Sequence, residues 1–137
     1  IYKAMNYLLD SNICVHFIRG NQRIISMIDK VGIEHLFISE MTVGELYYGA
    51  ECSERKEENR RVVDTFLSFI SVIPVSGAWK EFAKQKAYLR NKGSMIEDAD
   101  IIIGATAIVH NMVVVTENIK HIGRLQNIET INWMEQQ

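Results

Sequence analysis

Asp10 closes the short apolar run Tyr-Leu-Leu (7–9), and three further polar or acidic groups repeat its setting: Glu45, the pair Asp98 and Asp100, and Thr116 with Asn118. Each stands at or just after the C-terminal end of an expected strand, or at the start of the helix that follows. In an open parallel sheet those ends converge on one crevice, where ligands bind. Carboxylates gathered there repel one another unless a cation sits between them. Hard oxygen donors of this kind suit Mg²⁺, or Mn²⁺ in its place, rather than zinc. His16, His35, His110 and His121 form no i,i+3 or i,i+4 pair, and Cys14 and Cys52 belong to no C-x-x-C, so nothing supports a zinc site. The chemistry that fits is metal-dependent phosphodiester hydrolysis, in which a divalent ion neutralises phosphate charge and activates water.

Taken singly, most of these residues have ordinary explanations. Asp10 can cap a helix after a strand, and Asp98 and Asp100 can be first-turn acids favoured by the helix dipole. Glu45 is harder to dismiss. It lies among half-buried neighbours within a helix, with no Lys or Arg within a turn, and a buried carboxylate needs a partner. Three strand–helix junctions delivering carboxylates, and a fourth delivering Thr116 and Asn118, make the joint pattern the informative one. Other schemes lack their residues: there is no G-x-S-x-G elbow, no G-x-x-x-x-G-K-[ST] loop and no G-x-G-x-x-G.

The elements that must position these groups follow from periodicity and punctuation. Strands are expected at 6–9, 36–39, 71–75, 112–115 and 129–133, the third ending at Pro74. Helices are expected through Ile13, Phe17 and Ile18 with Asn12 or Ser11 as the cap, over 22–31, from Glu40, over 78–91 with Gly93 as the stop, and from Glu97 or Asp98 through 109. The charged stretch 53–61 running into Val62, Phe66 and Ile70 reads as one long amphipathic helix. Strands alternating with helices give an α/β fold, a five-stranded, largely parallel sheet flanked by helices.

The chain has 137 residues, one domain's worth, and 47% apolar with 23% charged residues is ordinary for a globular protein. A net charge of −2 argues against a general basic coat for nucleic acid, while leaving room for a local basic groove around an acidic site. With Pro74 the only proline, and no Gly/Ser tract or repeat, no linker is visible. No apolar stretch reaches the ~20 residues of a membrane span. The pattern shows no leader peptide, Met5 makes a natural start, and reduced thiols point to the cytoplasm.

Four segments together carry a resemblance: Tyr-Leu-Leu-Asp-Ser-Asn-Ile-Cys (7–14), Glu-Leu-Tyr-Tyr-Gly-Ala-Glu (45–51), Asp-Ala-Asp-Ile-Ile-Ile-Gly-Ala-Thr-Ala (98–107) and Val-Val-Thr-Glu-Asn (114–118). In this order and spacing they resemble the PIN-domain ribonucleases, and among them the VapC toxins of bacterial VapBC toxin–antitoxin pairs. The similarity spans essentially the whole chain as a single PIN domain with a three-layer fold. It implies that Asp10 and Asp100 are metal-binding, that Glu45 is the helical acid, and that Asp98 is an extra acid nearby. Thr116 matches the family's hydroxyl, and Asn118 its variable fourth position. Asn118 replaces a carboxylate found in many relatives, and His121-Ile122 stand where relatives often carry an acid and Phe.

The resemblance also implies a structured RNA substrate such as a tRNA, with Asp-Ser-Asn-Ile-Cys and Tyr-Gly-Ala-Glu most like members that cut initiator tRNA. It implies a VapB-like antitoxin and a homodimer as well. Cations able to carry phosphates to an acidic pit are Arg19, Lys86, Arg90, Lys92 and Lys120. Tyr47, Tyr48, Val62, Val63, Phe66 and Phe69 are either core or, in part, a groove for an antitoxin helix. Two rival readings stay open: a catalytically weak PIN-fold module that binds RNA or protein, favoured by Asn118, and a small-molecule phosphatase, disfavoured because Ser11-Asn12 follow Asp10 where a D-x-D would stand.

Overall fold

The computed structural model describes residues 5–135. The four residues ahead of Met5 lie outside that range, so the expected native start is not tested by it. The chain runs β1 (Tyr7–Leu9), α1 (Ser11–Ile18), α2 (Gln22–Val31), β2 (Leu36–Ser39), α3 (Glu40–Glu51), α4 (Lys56–Leu67), β3 (Ser71–Ile73), α5 (Trp79–Lys92), α6 (Asp98–Val109), β4 (Val113–Val115), α7 (Ile119–Ile122) and β5 (Thr130–Ile131). The five strands form one sheet in the order β3-β2-β1-β4-β5, every pairing parallel. The expected α/β fold is the observed one, and its sheet is parallel throughout.

Burial on both faces explains the composition of the central strands. Leu8, Leu9, Val114 and Val115 are wholly buried, as strands covered by helices on both sides must be. Side chains alternate between faces. Leu9, Ile38 and Val115 pack with Ile13, Ile24, Leu46 and Phe66 from α1 to α4. Leu8 and Val114 point the other way, onto Ile103, Ala107 and Ile122 of α6 and α7. A satellite of Leu89, Ile101 and Leu125 joins α5 to α6.

Elements depart from expectation at their ends, where short polar side chains divert the backbone. The helix read from residue 53 begins at Lys56. Ser53 donates instead to the Ala50 carbonyl at 2.6 Å and accepts from the Asn59 amide at 2.8 Å, which closes the end of α3. The same helix stops at Leu67, where Ser68 donates back to Thr65 O at 2.6 Å. The last strand shrinks to two residues because Asn132 accepts from the Met134 amide at 2.9 Å and opens a turn. Gly93 stops α5 as expected, in the left-handed region at φ 65°. The single turn of α7 was not legible in the sequence.

Among the described residues no helix is long and apolar enough to cross a membrane. Cys14 is buried and Cys52 exposed, both free.

Gly104 sits in the middle of the buried α6, where a Cβ would stand 2.1 Å from Leu125 Cδ1. Ala outranks Gly in a helix by about 1 kcal/mol, whereas overpacking a core costs about 1–3 kcal/mol. Gly104→Ala should therefore destabilise the protein. In a Leu125→Val background, which removes the obstructing methyl, the same substitution should become neutral or stabilising. Denaturant titration of the four-member cycle measures this, and additivity of the two changes would refute the close packing.

Candidate active site

The site is built where the order of strands reverses. β1 is flanked by β2 on one side and β4 on the other, and the crevice between the C-terminal ends of β1 and β4 is the fold's switch point. Leu8 pairs with Val114 and Leu9 with Val115, so the next residues, Asp10 and Thr116, emerge side by side. Backbone bonds fix both: the Asp10 amide donates to Val115 O at 2.9 Å, and the Thr116 amide to Ile131 O at 3.0 Å.

Asp10 is only 5% exposed yet well provided with donors. Its Oδ1 accepts from the Ser11 amide at 2.8 Å, capping α1. Its Oδ2 accepts from Thr116 Oγ1 at 2.7 Å and Asn12 Nδ2 at 3.3 Å. The cap is thus Asp10 itself, not Ser11 or Asn12. Thr116 Oγ1 in turn accepts from the Asn118 amide at 2.8 Å, and Asn118 Nδ2 donates to Asp100 Oδ2 at 3.3 Å. A continuous hydrogen-bonded line therefore runs Asp10–Thr116–Asn118–Asp100. Glu45, midway along α3, is tied to the same group by a short hydrogen bond from the Ser11 hydroxyl.

Electrostatics tell the same story. Burial first, then the negative charges of Asp10, Glu45 and Glu97, push the Asp100 carboxyl up to about 6, opposed by nearby His121. Glu45 is raised by burial above all, partly offset by the Ser11 hydroxyl and reinforced by Asp10 and Glu97. Asp10 is also raised by burial, with its three hydrogen bonds pulling the other way. These carboxylates feel one another electrostatically, each raising the proton affinity of another. Asp100, Asn118, His121 and Glu97, with Met95 and Ile96, line an open cavity of about 640 Å³ at this point.

Asp98 is placed elsewhere. Its carboxylate is 3.0 Å from Lys86 Nζ on α5, at the surface. Glu97, expected only as a possible first residue of α6, stands just ahead of it, makes no side-chain capping bond and lines the cavity. Ser11 and Asn12, expected only as caps, orient Glu45 and Asp10. A further brace, His16 Nε2 to Glu117 Oε1 at 2.6 Å, fastens α1 to the loop carrying Thr116 and Asn118.

Among the described residues no three His, Cys, Asp or Glu side chains converge closely enough to cage an ion as they stand. The acids share a field and a hydrogen-bonded network rather than a closed cage. Mg²⁺ suits that arrangement, because it keeps several waters and takes one or two carboxylates plus substrate phosphate. The donor set, all oxygen and mutually repelling, fits such a hard cation.

The PIN domain family model matches residues 7–125. The chain is 34% identical to Ribonuclease VapC2 of Rickettsia felis over 94% of its length and 98% of that protein. It is 28% identical to the tRNA(fMet)-specific endonuclease VapC of Shigella flexneri, over 94% of this chain and 98% of the other. Its fold superposes on the DNA-bound VapBC crystal structure from Salmonella typhimurium with a TM-score of 0.88 at 30% identity, covering 94% of this chain and 98% of that one. Sheet order, switch-point acids and near-complete alignment agree: the chain belongs to the PIN-domain family, among its VapC ribonucleases.

Proposed function

We propose that this chain is a divalent-metal-dependent endoribonuclease, the toxin half of a type II toxin–antitoxin pair, that cuts structured RNA and takes initiator tRNA as its target. The observation that carries the reading is the hydrogen-bonded line from Asp10 through Thr116 and Asn118 to Asp100, closing an acidic pocket at the switch point of a PIN fold. Support for the finer target comes from relatives named tRNA(fMet)-specific endonuclease VapC in Shigella flexneri and Salmonella typhimurium, 28% and 30% identical.

Asp10 and Asp100 would hold the Mg²⁺, with Glu45 acting through water. The ion supplies charge neutralisation for the phosphate and a more acidic water. The chain's own residues do the rest. Donors on both oxygens of Asp10 lock its carboxylate in one orientation. Ser11 does the same for Glu45, whose proton affinity burial raises. Thr116 donates to Asp10 and accepts from the Asn118 amide, so its hydroxyl has a fixed polarity. The Asn118 amide gives Asp100 a neutral donor in place of another acid, which limits the charge the pocket must carry. That same substitution is what favours the rival reading of a weakly catalytic binding module.

An apolar groove of about 210 Å³ runs beside Glu45 between α1, α3 and α4, floored by Leu46, Ala50 and Val63 with Val15, Ile18 and Val62 at its sides. We assign an apolar antitoxin helix to it, on a chain that works in the cytoplasm as a homodimer. Of the aromatic and apolar residues that could serve either role, Val63 and Phe66 are core, while Tyr48 is 71% exposed.

Asp10→Ala or Asp100→Ala should each lower Mg²⁺-dependent cleavage of initiator tRNA by roughly 10²–10⁴-fold, read by gel assay with 5′-end mapping. Binding of tRNA with no turnover by the unaltered chain would instead establish the module.

A second outcome concerns stability. Asp100 binds its proton more tightly folded than unfolded, so without metal its ionisation opposes folding, and that opposition fades as pH falls through about 6 toward the ordinary carboxylate range. The metal-free thermal midpoint should therefore gain between pH 7.5 and 5.5, and gain less in Asp100→Asn. Mg²⁺ at pH 7.5 should raise the midpoint of the unaltered chain and leave that of Asp100→Asn nearly unmoved. Equal Mg²⁺ shifts in both proteins would remove Asp100 from the metal site.

A further inference from the structure

The acidic pocket repels the polyanion it is proposed to cut, so some neighbouring surface must attract it. α5 has the required charge. In a chain of net charge −2 it carries Lys80, Lys84, Lys86, Arg90 and Lys92 against the single acid Glu81. Glu81 is engaged within the helix, accepting from the Gln85 amide at 2.8 Å.

One face of α5 is shaped as well as charged. Phe82, Lys86 and Arg90 follow at four-residue spacing and form a ridge, while Ala83 and Ala87 beside them are small enough to leave a trough. Together with Asn91 and Met95 they line an open groove of about 560 Å³. Met95 lines both this groove and the acidic cavity, so the two are neighbours. At the far end Trp79 stands edge-on to Phe82, ring centroids 5.6 Å apart, and is 48% exposed.

The cations are available. Arg90 is exposed and takes part in no side-chain hydrogen bond or ion pair among the described residues. Lys86 lies 5.7 Å from the centre of the Phe82 ring and pairs with Asp98, an ion pair with both side chains about half exposed. Such pairs contribute little and give way to a better anion. Aromatic faces interleaved with cations along a trough are what a single strand of nucleic acid needs: phosphates on the charges, bases on the rings.

We propose that the α5 groove is an RNA-strand subsite: Lys86 and Arg90 bind backbone phosphates flanking the cut, and Phe82 with Trp79 stacks an unpaired base, leading the strand past Met95 into the acidic pocket. This rests on the ribonuclease reading above and names the surface through which the substrate reaches it. Asp98 then has a part outside the chemistry, as a resident anion that holds Lys86 until a phosphate replaces it.

The test uses the full-length chain carrying Asp10→Asn to prevent turnover, and a fluorescently labelled initiator-tRNA anticodon stem-loop, titrated by anisotropy from low to high salt. Lys86→Gln with Arg90→Gln should weaken binding at least tenfold at low salt. It should also flatten the slope of log K against log salt by about 0.7 per cation removed. Lys84→Gln, on the same helix but outside the groove, should change neither by as much as half of that. Phe82→Leu should weaken binding several-fold without altering the salt slope. Ultracentrifugation of every variant runs alongside. Unchanged affinity and slope in the double variant would overturn the subsite, as would a change in oligomeric state, which would mark the groove as a contact between copies. If the chain with Asp10 intact neither binds nor cuts the RNA, the ribonuclease reading fails instead. Cleavage by that chain with normal binding by the groove variants would sink the subsite alone.

Discussion

The in-register pairing of β1 with β4 is the constraint on which the site depends. Leu8 and Leu9 match Val114 and Val115 rung for rung, so Asp10 and Thr116 leave the sheet at the same height. A slip of one residue would turn every side chain of β1 to the opposite face. Leu9 would leave the cluster shared with Ile13 and Phe66, and Asp10 would lose Thr116. Core packing and site assembly are thus one requirement, enforced by four β-branched or leucine side chains with no exposure at all.

That rigidity is what allows like charges to remain together. Asp10, Glu45 and Asp100 are all harder to ionise than free carboxyls, chiefly because they are buried. Among the described residues no strong counter-charge acts on these acids; His121 only moderates Asp100. Neutral donors do the stabilising: the Ser11 amide and hydroxyl, Asn12, Thr116 and Asn118. Neutral donors can hold a carboxylate without cancelling its charge, which leaves that charge free to act on a cation. An Arg in the same place would make a more stable protein and a poorer metal site.

Most of this was legible before any coordinates. Apolar runs ending in an acid or hydroxyl marked the strand ends, and Asp10, Glu45, Asp100, Thr116 and Asn118 do meet. What escaped was a matter of phase and of scale. Glu97 and Asp100 are three residues apart and share a helix face, whereas Asp98 lies well round the helix from Asp100. Asp98 and Asp100 read as a pair from their closeness in sequence, which helix phase overrides. Ser11 and Asn12 looked like caps, because a serine or asparagine after a strand usually is one. Their partners, Glu45 on another helix and Asp10 beside them, could be identified only once the sheet had brought α1 and α3 together. The boundaries of α4 and β5 turn on hydrogen bonds donated by Ser53 and Ser68 and one accepted by Asn132, below the reach of periodicity.

The fold also separates charge in a way that composition conceals. A net charge of −2 looks nearly neutral, yet the switch point gathers acids while α5 gathers cations on the element just before α6. Lys86 and Asp98 join the two regions at 3.0 Å, on either side of the turn that carries Met95 and Glu97. For a polyanionic substrate such a layout sets a direction. Cations can draw the backbone in along α5 through long-range attraction, which salt screens. On the proposed reading, the acids would then admit a phosphate whose charge a bound divalent ion offsets. Attraction and reaction are assigned to neighbouring surfaces because one surface cannot do both: cations within the pocket would neutralise the acids that a metal needs.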